Sequence, residues 1–290
     1  MSTQRQLVES RAPAKVNLTL AVLGELAGGY HELESWVVMV DWCDRLVLRP
    51  ASNLSLRVGG SNGHAVPRSG DNLVWRAAEA LATAAGLEPA VSIELEKSLP
   101  IGAGLGGGSS DAASTLLGLN ELWGLNWPVE RLMPIASDLG SDVPLFLEET
   151  PAVIRGRGER VERLRSGWKG RLVLVTPSFE LATSDVYGRF SRGDVRRRES
   201  HKPWQDVGSD SLELSRRLFN DLEPAAFAVE PKLARLHELL DGLGGRPVRM
   251  TGSGSSLFAL FDDAQAAEAW REEAVRLTGP TVEFHVVQTL

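Results

Sequence analysis

One cysteine, Cys43, stands in 290 residues. A lone thiol rules out an internal disulfide, and such cysteine usage points to a reducing, cytoplasmic setting. Positive charge is also short: 31 Lys and Arg face 38 Asp and Glu, a formal net charge of −7. That balance argues against a nucleic-acid binder working through a general basic surface, while leaving room for a local basic pocket. No apolar run approaches the roughly 20 residues that a membrane-spanning helix needs. Met1 to Arg11 is polar and lacks an apolar signal core. There is no internal repeat. The Gly-Lys-Ser/Thr ending of a Walker A loop is missing, as are the His-Arg-Asp and Asp-Phe-Gly signatures of protein kinases. What remains is an ordinary soluble composition, 43% hydrophobic and 24% charged, with enough chain for two domains.

Against that plain background one stretch is exceptional: Pro100-Ile101-Gly102-Ala103-Gly104-Leu105-Gly106-Gly107-Gly108-Ser109-Ser110-Asp111. Before it, Val91 to Glu96 alternates apolar and polar as a strand does. After it, Ser109 to Trp123 is rich in Ala and Leu, with Ala112, Leu116, Leu119 and Trp123 on one helical face. Strand, glycine loop and helix in this order make an anion site. Glycine lets the backbone approach a ligand closely, and the first N–H groups of the helix lack internal partners at the positive end of its dipole. Ser109 and Ser110 are candidate N-cap residues. A glycine turn between packed elements is the plainer alternative. Gly102-x-Gly104-x-x-Gly107 also satisfies the dinucleotide fingerprint, but Lys97 to Pro100 separate it from its strand, whereas the fingerprint follows its strand directly.

Along the rest of the chain, Val16, Leu18 and Leu20 alternate with Lys15, Asn17 and Thr19, a strand whose polar face is either solvated or turned to a site. Gly28-Gly29-Tyr30-His31 follows a hairpin turn; its rings are surface groups or a platform for a base. Trp36 to Leu48 and Leu54 to Val58 read as strands. Asp71 is the expected N-cap of a helix running to Ala85 and ending at Gly86. A helix over Val129 to Leu139 leads to Asp142, by itself a turn or capping carboxylate. Ala152 to Glu159 reads as a strand and turn, Arg171 to Val175 as a strand, Lys232 to Leu240 as a helix. Pro247 to Met250 and Leu257 to Phe261 flank a glycine hairpin, Ala264 to Leu277 is a helix and Val282 to Val287 a last strand. Between them, 190–211 holds Arg192, Arg196, Arg197, Arg198 and Lys202 and reads as a solvated loop.

Pro100-x-x-x-Gly104-Leu105-Gly106, followed by small residues and serines, resembles the phosphate loop of the GHMP kinases, the family of the galactose, homoserine, mevalonate and phosphomevalonate kinases. The run Gly106-Gly107-Gly108-Ser109-Ser110 is similar to its diphosphocytidyl-methylerythritol kinase branch, as are Pro13-Ala14-Lys15-x-Asn17-Leu18, Gly29-Tyr30-His31 and Gly140-x-Asp142-Val143-Pro144. The resemblance implies an α+β, two-domain GHMP kinase fold, with a ribosomal-protein-S5-like domain over 1–158, a ferredoxin-like domain over 159–290 and the active site in the cleft between them. It implies ATP-dependent phosphorylation of the 2-hydroxyl of 4-diphosphocytidyl-2-C-methyl-D-erythritol, a small-molecule substrate, by a monomer or homodimer with no nucleic-acid or membrane partner. Asp142 would take the proton and Lys15 would stabilise charge. Pro100, Ile101, Gly102, Ala103, Gly104, Leu105, Gly106, Gly107, Gly108, Ser109 and Ser110, with Lys97 and Asn72 on the adenine side, would hold ATP. Asn17, Tyr30, His31, Thr183 and Asp142 would meet the substrate. Met250 to Phe258 would fold against the phosphate loop, and Phe219 to Glu223 resembles a helix start. Mg²⁺ is expected of phosphoryl transfer; its ligands stay open, with Ser109 and Ser110 as candidates. The family usually has Asp and, shortly before it, Arg where this chain has Gly28 and Leu26. Another GHMP small-molecule kinase, or a non-catalytic binding protein of that fold, is the alternative.

Overall fold

The β-rich first half is built on one unusually long strand. In the computed structural model, which describes residues 7–148, 151–165, 167–190, 204 and 210–290, β1 (Val8–Asn17) and β2 (Thr19–Glu25) lead into β3 (His31–Pro50). The run Trp36-Val37-Val38-Met39-Val40 supplies the branched and aromatic side chains that suit a pleated, buried surface. At 20 residues β3 is long enough to serve several partners. Its first part pairs with β2 and with β6 (Ala152–Gly156), and its last part with β5 (Val91–Glu96). It runs antiparallel to β1 over most of that strand's length. The strands β4 (Ser55–Gly59), β7 (Arg160–Arg163) and β9 (Phe219–Asn220) complete an eight-stranded sheet. Helices α1 (Leu73–Ala85), α2 (Gly107–Leu122) and α3 (Val129–Leu139) cover one face, where Leu46, Leu48, Ile93 and Leu95 meet Leu81, Leu116 and Leu119. Burying each such side chain stabilises by about 1.5–3 kcal/mol.

The second half forms a four-stranded antiparallel sheet from β8 (Arg171–Pro177), β10 (Arg249–Met250), β11 (Leu257–Phe261) and β12 (Val282–Gln288), in the order β10-β11-β8-β12. With α6 (Glu223–Val229) and α7 (Pro231–Leu240) between its first two strands and α8 (Ala264–Thr278) before its last, this is the ferredoxin-like arrangement. Two shorter helices, α4 (Thr183–Arg189) and α5 (Ser211–Arg217), complete the described elements. The two sheets share a core: Val16, Leu18, Trp36 and Val38 pack with Leu172, Leu174, Phe258 and Leu260. Leu99, Ala103 and Leu105 of the glycine stretch enter the same core, so the loop is bound to both halves. The expected α+β, two-part fold is thus the one that forms.

Three local expectations are corrected. Ser109 and Ser110 lie inside α2, whose N-cap is Gly106, in the left-handed region at φ 70° and without a side-chain cap. Asn72, not Asp71, caps α1, its Oδ1 accepting from the Val74 N–H at 2.8 Å; Asn72 is buried while Asp71 is exposed. Phe219 and Asn220 form a short strand parallel to β2, and the helix starts only at Glu223. Asn220 is needed elsewhere, since its side-chain amide donates to the carbonyls of Met250 and Gly252 at 2.9 and 2.7 Å. The basic residues expected in the loop 190–211 (Arg192, Arg196, Arg197, Arg198 and Lys202) lie outside the described residues.

Two glycines with similar φ separate backbone strain from crowding. Gly86 ends α1 at φ 66° in open space; Gly104 sits at φ 76°, where a Cβ would lie 2.5 Å from the Thr251 carbonyl oxygen and 2.9 Å from that of Gly254. Gly86→Ala should cost about 1–2 kcal/mol, the left-handed penalty alone, and Gly104→Ala clearly more. Thermal unfolding of both variants checks this, at roughly 2–4 °C per kcal/mol; equal losses would show that the loop yields without cost.

Candidate active site

A cavity of about 950 Å³ opens where the glycine loop, β1, β3 and α4 converge. Every residue from Pro100 to Ser109 lines it, together with Lys15, Asn17, Tyr30, His31, Asn72, Lys97, Asp142 and Thr183. Of the candidate site residues only Ser110 is missing from the lining; it is fully buried, and its Oγ has no hydrogen-bond partner among the described residues.

The glycine loop is held from two sides. The Lys15 N–H donates to the Leu105 carbonyl at 2.9 Å, the Ser256 N–H donates to that of Ala103 at 3.2 Å, and Gly104 abuts the turn over 251–254. Gly106 has no room for a side chain: a Cβ there would sit 2.9 Å from both Lys15 Cγ and Phe146 Cζ. The first intrahelical bond of α2 runs from the Ser110 N–H to the Gly106 carbonyl. The N–H groups of Gly107, Gly108 and Ser109 are therefore left over by helix geometry, and no side chain caps them. A rigid backbone with free donors at a helix N-terminus is an anion cradle.

Beside it stands Lys15. The polar face of β1 and β2 is not solvated: Lys15, Asn17 and Thr19 are all buried. The Lys15 ammonium donates to Asn17 Oδ1 and lies 3.8 Å from Asp142 Oδ2. Burial pulls the Lys15 pKa below its ordinary value, and the Asp142 charge opposes that. Asp142 arrives on the turn after α3, its side chain about one-third exposed. A carboxylate open to solvent beside a desolvated cation can accept a proton and stabilise negative charge at one point.

Aromatic rings gather at the other end. The His31 ring lies 5.1 Å from that of Tyr187 and 5.8 Å, edge-on, from that of Phe190. The Arg157 guanidinium stands 4.8 Å over the Tyr30 ring. Burial, with the Asp142 charge adding to it, raises the Tyr187 pKa and keeps its phenol neutral. Thr183 begins α4, and its hydroxyl is 2.9 Å from that of Ser253. Tyr187, four residues on, shares its helix face. The Gly28 and Leu26 departures leave a closed hairpin, in which the Leu26 N–H donates to the Tyr30 carbonyl at 2.7 Å. Sequence reasoning gave Tyr187 and Arg157 no role. The four-residue spacing from Thr183 was the available signal for the first; nothing local marked the second.

Lys97 is engaged more fully. Its ammonium is buried between Asp44 and Asp111, donating to Asp44 Oδ2 and, at 2.7 Å, to Asp111 Oδ2. Asp44 also accepts from the backbone N–H groups of Ser98 and Leu99 at 2.6 and 2.8 Å, tying β3 to the start of the glycine stretch. Burial alone would lower the Lys97 pKa; the two carboxylates outweigh it and the net shift is upward. Asp111 is pushed up to about 7, chiefly by burial, with Asp44 adding and Lys97 opposing. Sequence reading missed both carboxylates because they lie 67 positions apart and meet only through the fold.

Comparison with known proteins agrees with this geometry. The family model for the GHMP kinases N terminal domain matches residues 72–149, and that for the GHMP kinases C terminal matches 202–276. The chain is similar to the 4-diphosphocytidyl-2-C-methyl-D-erythritol kinase of Pelotomaculum thermopropionicum, 38% identical over 98% of each chain. Among solved structures it is similar to a crystal structure of 4-(cytidine 5'-diphospho)-2C-methyl-D-erythritol kinase, with TM-score 0.77 and 35% identity over 97% of this chain and 99% of the other. Homoserine kinase from Cytophaga hutchinsonii shares the fold, with TM-score 0.72 and 19% identity over 100% and 96% of the two chains.

The Asp111 shift gives a pH test. The folded state keeps a proton on Asp111 up to about pH 7, whereas an unfolded chain releases it near the ordinary value of about 3.9. Its contribution to stability is therefore full below about pH 4 and is lost as pH rises to about 7. Asp111→Asn cannot titrate. Between pH 5 and 8 the unfolding temperature of the parent should fall relative to that of the variant; parallel curves would contradict the assignment.

Proposed function

The chain belongs to the 4-diphosphocytidyl-2-C-methyl-D-erythritol kinases of the GHMP kinase family, and from that premise we propose that it transfers the terminal phosphoryl group of ATP to the 2-hydroxyl of 4-diphosphocytidyl-2-C-methyl-D-erythritol in the non-mevalonate isoprenoid pathway. One observation carries the reading: Lys15 and Asp142 stand 3.8 Å apart on the wall of a cavity that has the anion cradle on one side and the Tyr30–His31–Tyr187 rings on the other.

In this account the backbone donors of 102–109 hold the ATP phosphates, and Asn72 and Lys97 border the adenine. The cytosine ring lies against Tyr30 and Tyr187, and His31 hydrogen-bonds its edge; Asn17 and Thr183 hold the sugar-alcohol part. The hydroxyl oxygen forms the new bond to phosphorus, the bond to the ADP oxygen breaks, and the hydroxyl proton passes to the Asp142 carboxylate. Lys15 faces the charge that develops on the transferred group. Most of the barrier falls through positioning and charge stabilisation, and Asp142 mainly orients the hydroxyl. Mg²⁺ accompanies ATP in such reactions and neutralises phosphate charge while keeping most of its waters. Among the described residues no group of three or more His, Cys, Asp or Glu is placed to hold a metal. The buried, partnerless Ser110 hydroxyl and its neighbour Ser109 fit the one or two protein oxygens that are needed.

In this reading 1–158 is the domain of the glycine loop and 159–290 the domain that completes the cleft; β7 and β9, from the second, pair within the first sheet. All the named site residues come from one chain, so a monomer suffices and a homodimer is compatible. Among the described residues no helix is long and apolar enough to cross a membrane. The free Cys43 suits the reducing cytoplasm.

ADP release with ATP, Mg²⁺ and separate acceptors tests the reading. Release with diphosphocytidyl-methylerythritol, and none with homoserine, mevalonate or galactose, is expected; release with another acceptor alone would overturn the substrate assignment. Asp142→Asn should lower turnover about 10²–10⁴-fold with folding intact, whereas Tyr30→Ala should raise the KM for the cytidine substrate more than it lowers kcat.

A further inference from the structure

Behind Lys15 lies a chain of hydrogen bonds whose direction is fixed at its far end. The main-chain carbonyl oxygen of Thr19 can only accept. Ser35, fully buried on β3, donates its single hydroxyl proton to that oxygen. The Ser35 Oγ can then only accept from Asn17, whose side-chain nitrogen lies 2.7 Å away. This forces the Asn17 amide into one orientation, with NH₂ toward Ser35 and Oδ1 toward Lys15, where it accepts from the ammonium. A second bond, from the Asn17 N–H to Thr251 Oγ1 at 2.9 Å, pins the backbone of the same residue.

We propose that Ser35 is a positioning residue for the phosphoryl-transfer site: by fixing which way the Asn17 amide faces, it holds the Lys15 ammonium in place and protonated. The inference rests on the role given to Lys15 above. Without the Ser35 hydroxyl the Asn17 NH₂ loses its acceptor, and the amide is free to turn. Two donors, NH₂ and ammonium, then face each other in a buried site, and Lys15 is left to drift toward Asp142. The other groups around Lys15 do not compensate. Asp142 is the one charged side chain within ion-pair range among the described residues. The turn over 251–254 presents backbone at Gly252, the glycine loop presents the Leu105 carbonyl to the Lys15 main chain, and α4 contributes the neutral phenol of Tyr187 to the wall of the same cavity.

The test uses the full chain and reads Lys15 itself. The Lys15 ε-methylene resonance, assigned by its loss in Lys15→Arg, is followed by NMR against pH in the parent and in Ser35→Ala. Once the Asn17 Oδ1 is no longer held toward the buried ammonium, the titration midpoint of Lys15 should fall; an unchanged midpoint in a folded variant overturns the inference whether or not any turnover is seen. Turnover gives the second reading. Ser35→Ala should lower kcat by up to about 10²-fold, with little change in the KM for ATP, and should bring the alkaline limb of the pH profile to lower pH. Ser35→Thr, which keeps the hydroxyl, should restore much of it. In an Asn17→Ala background Ser35→Ala should add almost nothing, because the effect passes through Asn17; additive losses would contradict the relay. A parent without kinase activity but with the NMR shift would refute the reading of function and leave the relay standing. Should Ser35→Ala not fold, Ser35→Cys, similar in size and a far weaker donor, is read in the same way.

Discussion

The site depends on the docking of the glycine loop against two sheets at once. One side is tied to β1 through the Lys15 N–H and the other, through the Ser256 N–H, to the segment just after the turn over 251–254. At Gly104 the approach to the carbonyls of Thr251 and Gly254 is too close for any side chain. The same contacts that join the halves of the molecule therefore set the position of the free N–H groups at the start of α2 and of Lys15 near the end of β1. Because leucines of the loop sit in the core shared by the sheets, a shift of the loop would disturb close-packed interior and not merely a surface turn.

Two lysines flank this loop, and their surroundings divide the work between them. Lys97 is buried against two carboxylates, so its charge is more than balanced within the fold, and with Asp44 it fixes residues 97–99. Lys15 is equally buried but meets a neutral amide and a carboxylate 3.8 Å away. Its charge is incompletely balanced and remains directed at whatever occupies the cavity. A buried cation without a tight counter-ion is costly. The Asn17–Ser35–Thr19 relay offsets part of that cost, which is a reason for two polar side chains, Asn17 and Ser35, to lie buried there; the buried Thr19 hydroxyl serves separately, accepting from the Trp36 N–H at 3.1 Å.

Much of this was legible in the sequence, for physical reasons that can be stated residue by residue. Alternation marked β4 and β5, helical periodicity marked α2 and α7, cap and stop residues marked α1, and the density of glycine before Ser109 marked the cradle. Local signals misplaced the caps by a residue or more, because Asp71 and Asn72 are both good N-caps and burial selects Asn72. The strand at Phe219 could not be read at all: two residues are too short for a period, and it exists only because β2 lies alongside. The face of Lys15, Asn17 and Thr19 looked as well suited to water as to a site. The Lys97 carboxylates and Arg157 come from remote parts of the chain and carry no mutual spacing, so only the folded backbone brings them together.

The central claim is that phosphoryl donor and acceptor meet between the glycine loop and the Lys15–Asp142 pair. A crystal structure with a non-hydrolysable ATP analogue, Mg²⁺ and diphosphocytidyl-methylerythritol tests it most directly. The account predicts phosphates on the backbone amides of 102–109, the cytosine ring against Tyr30 and Tyr187, and the acceptor hydroxyl about 3 Å from Asp142 and facing Lys15. Triphosphate bound away from the glycine loop, or an acceptor hydroxyl out of reach of both side chains, would contradict it.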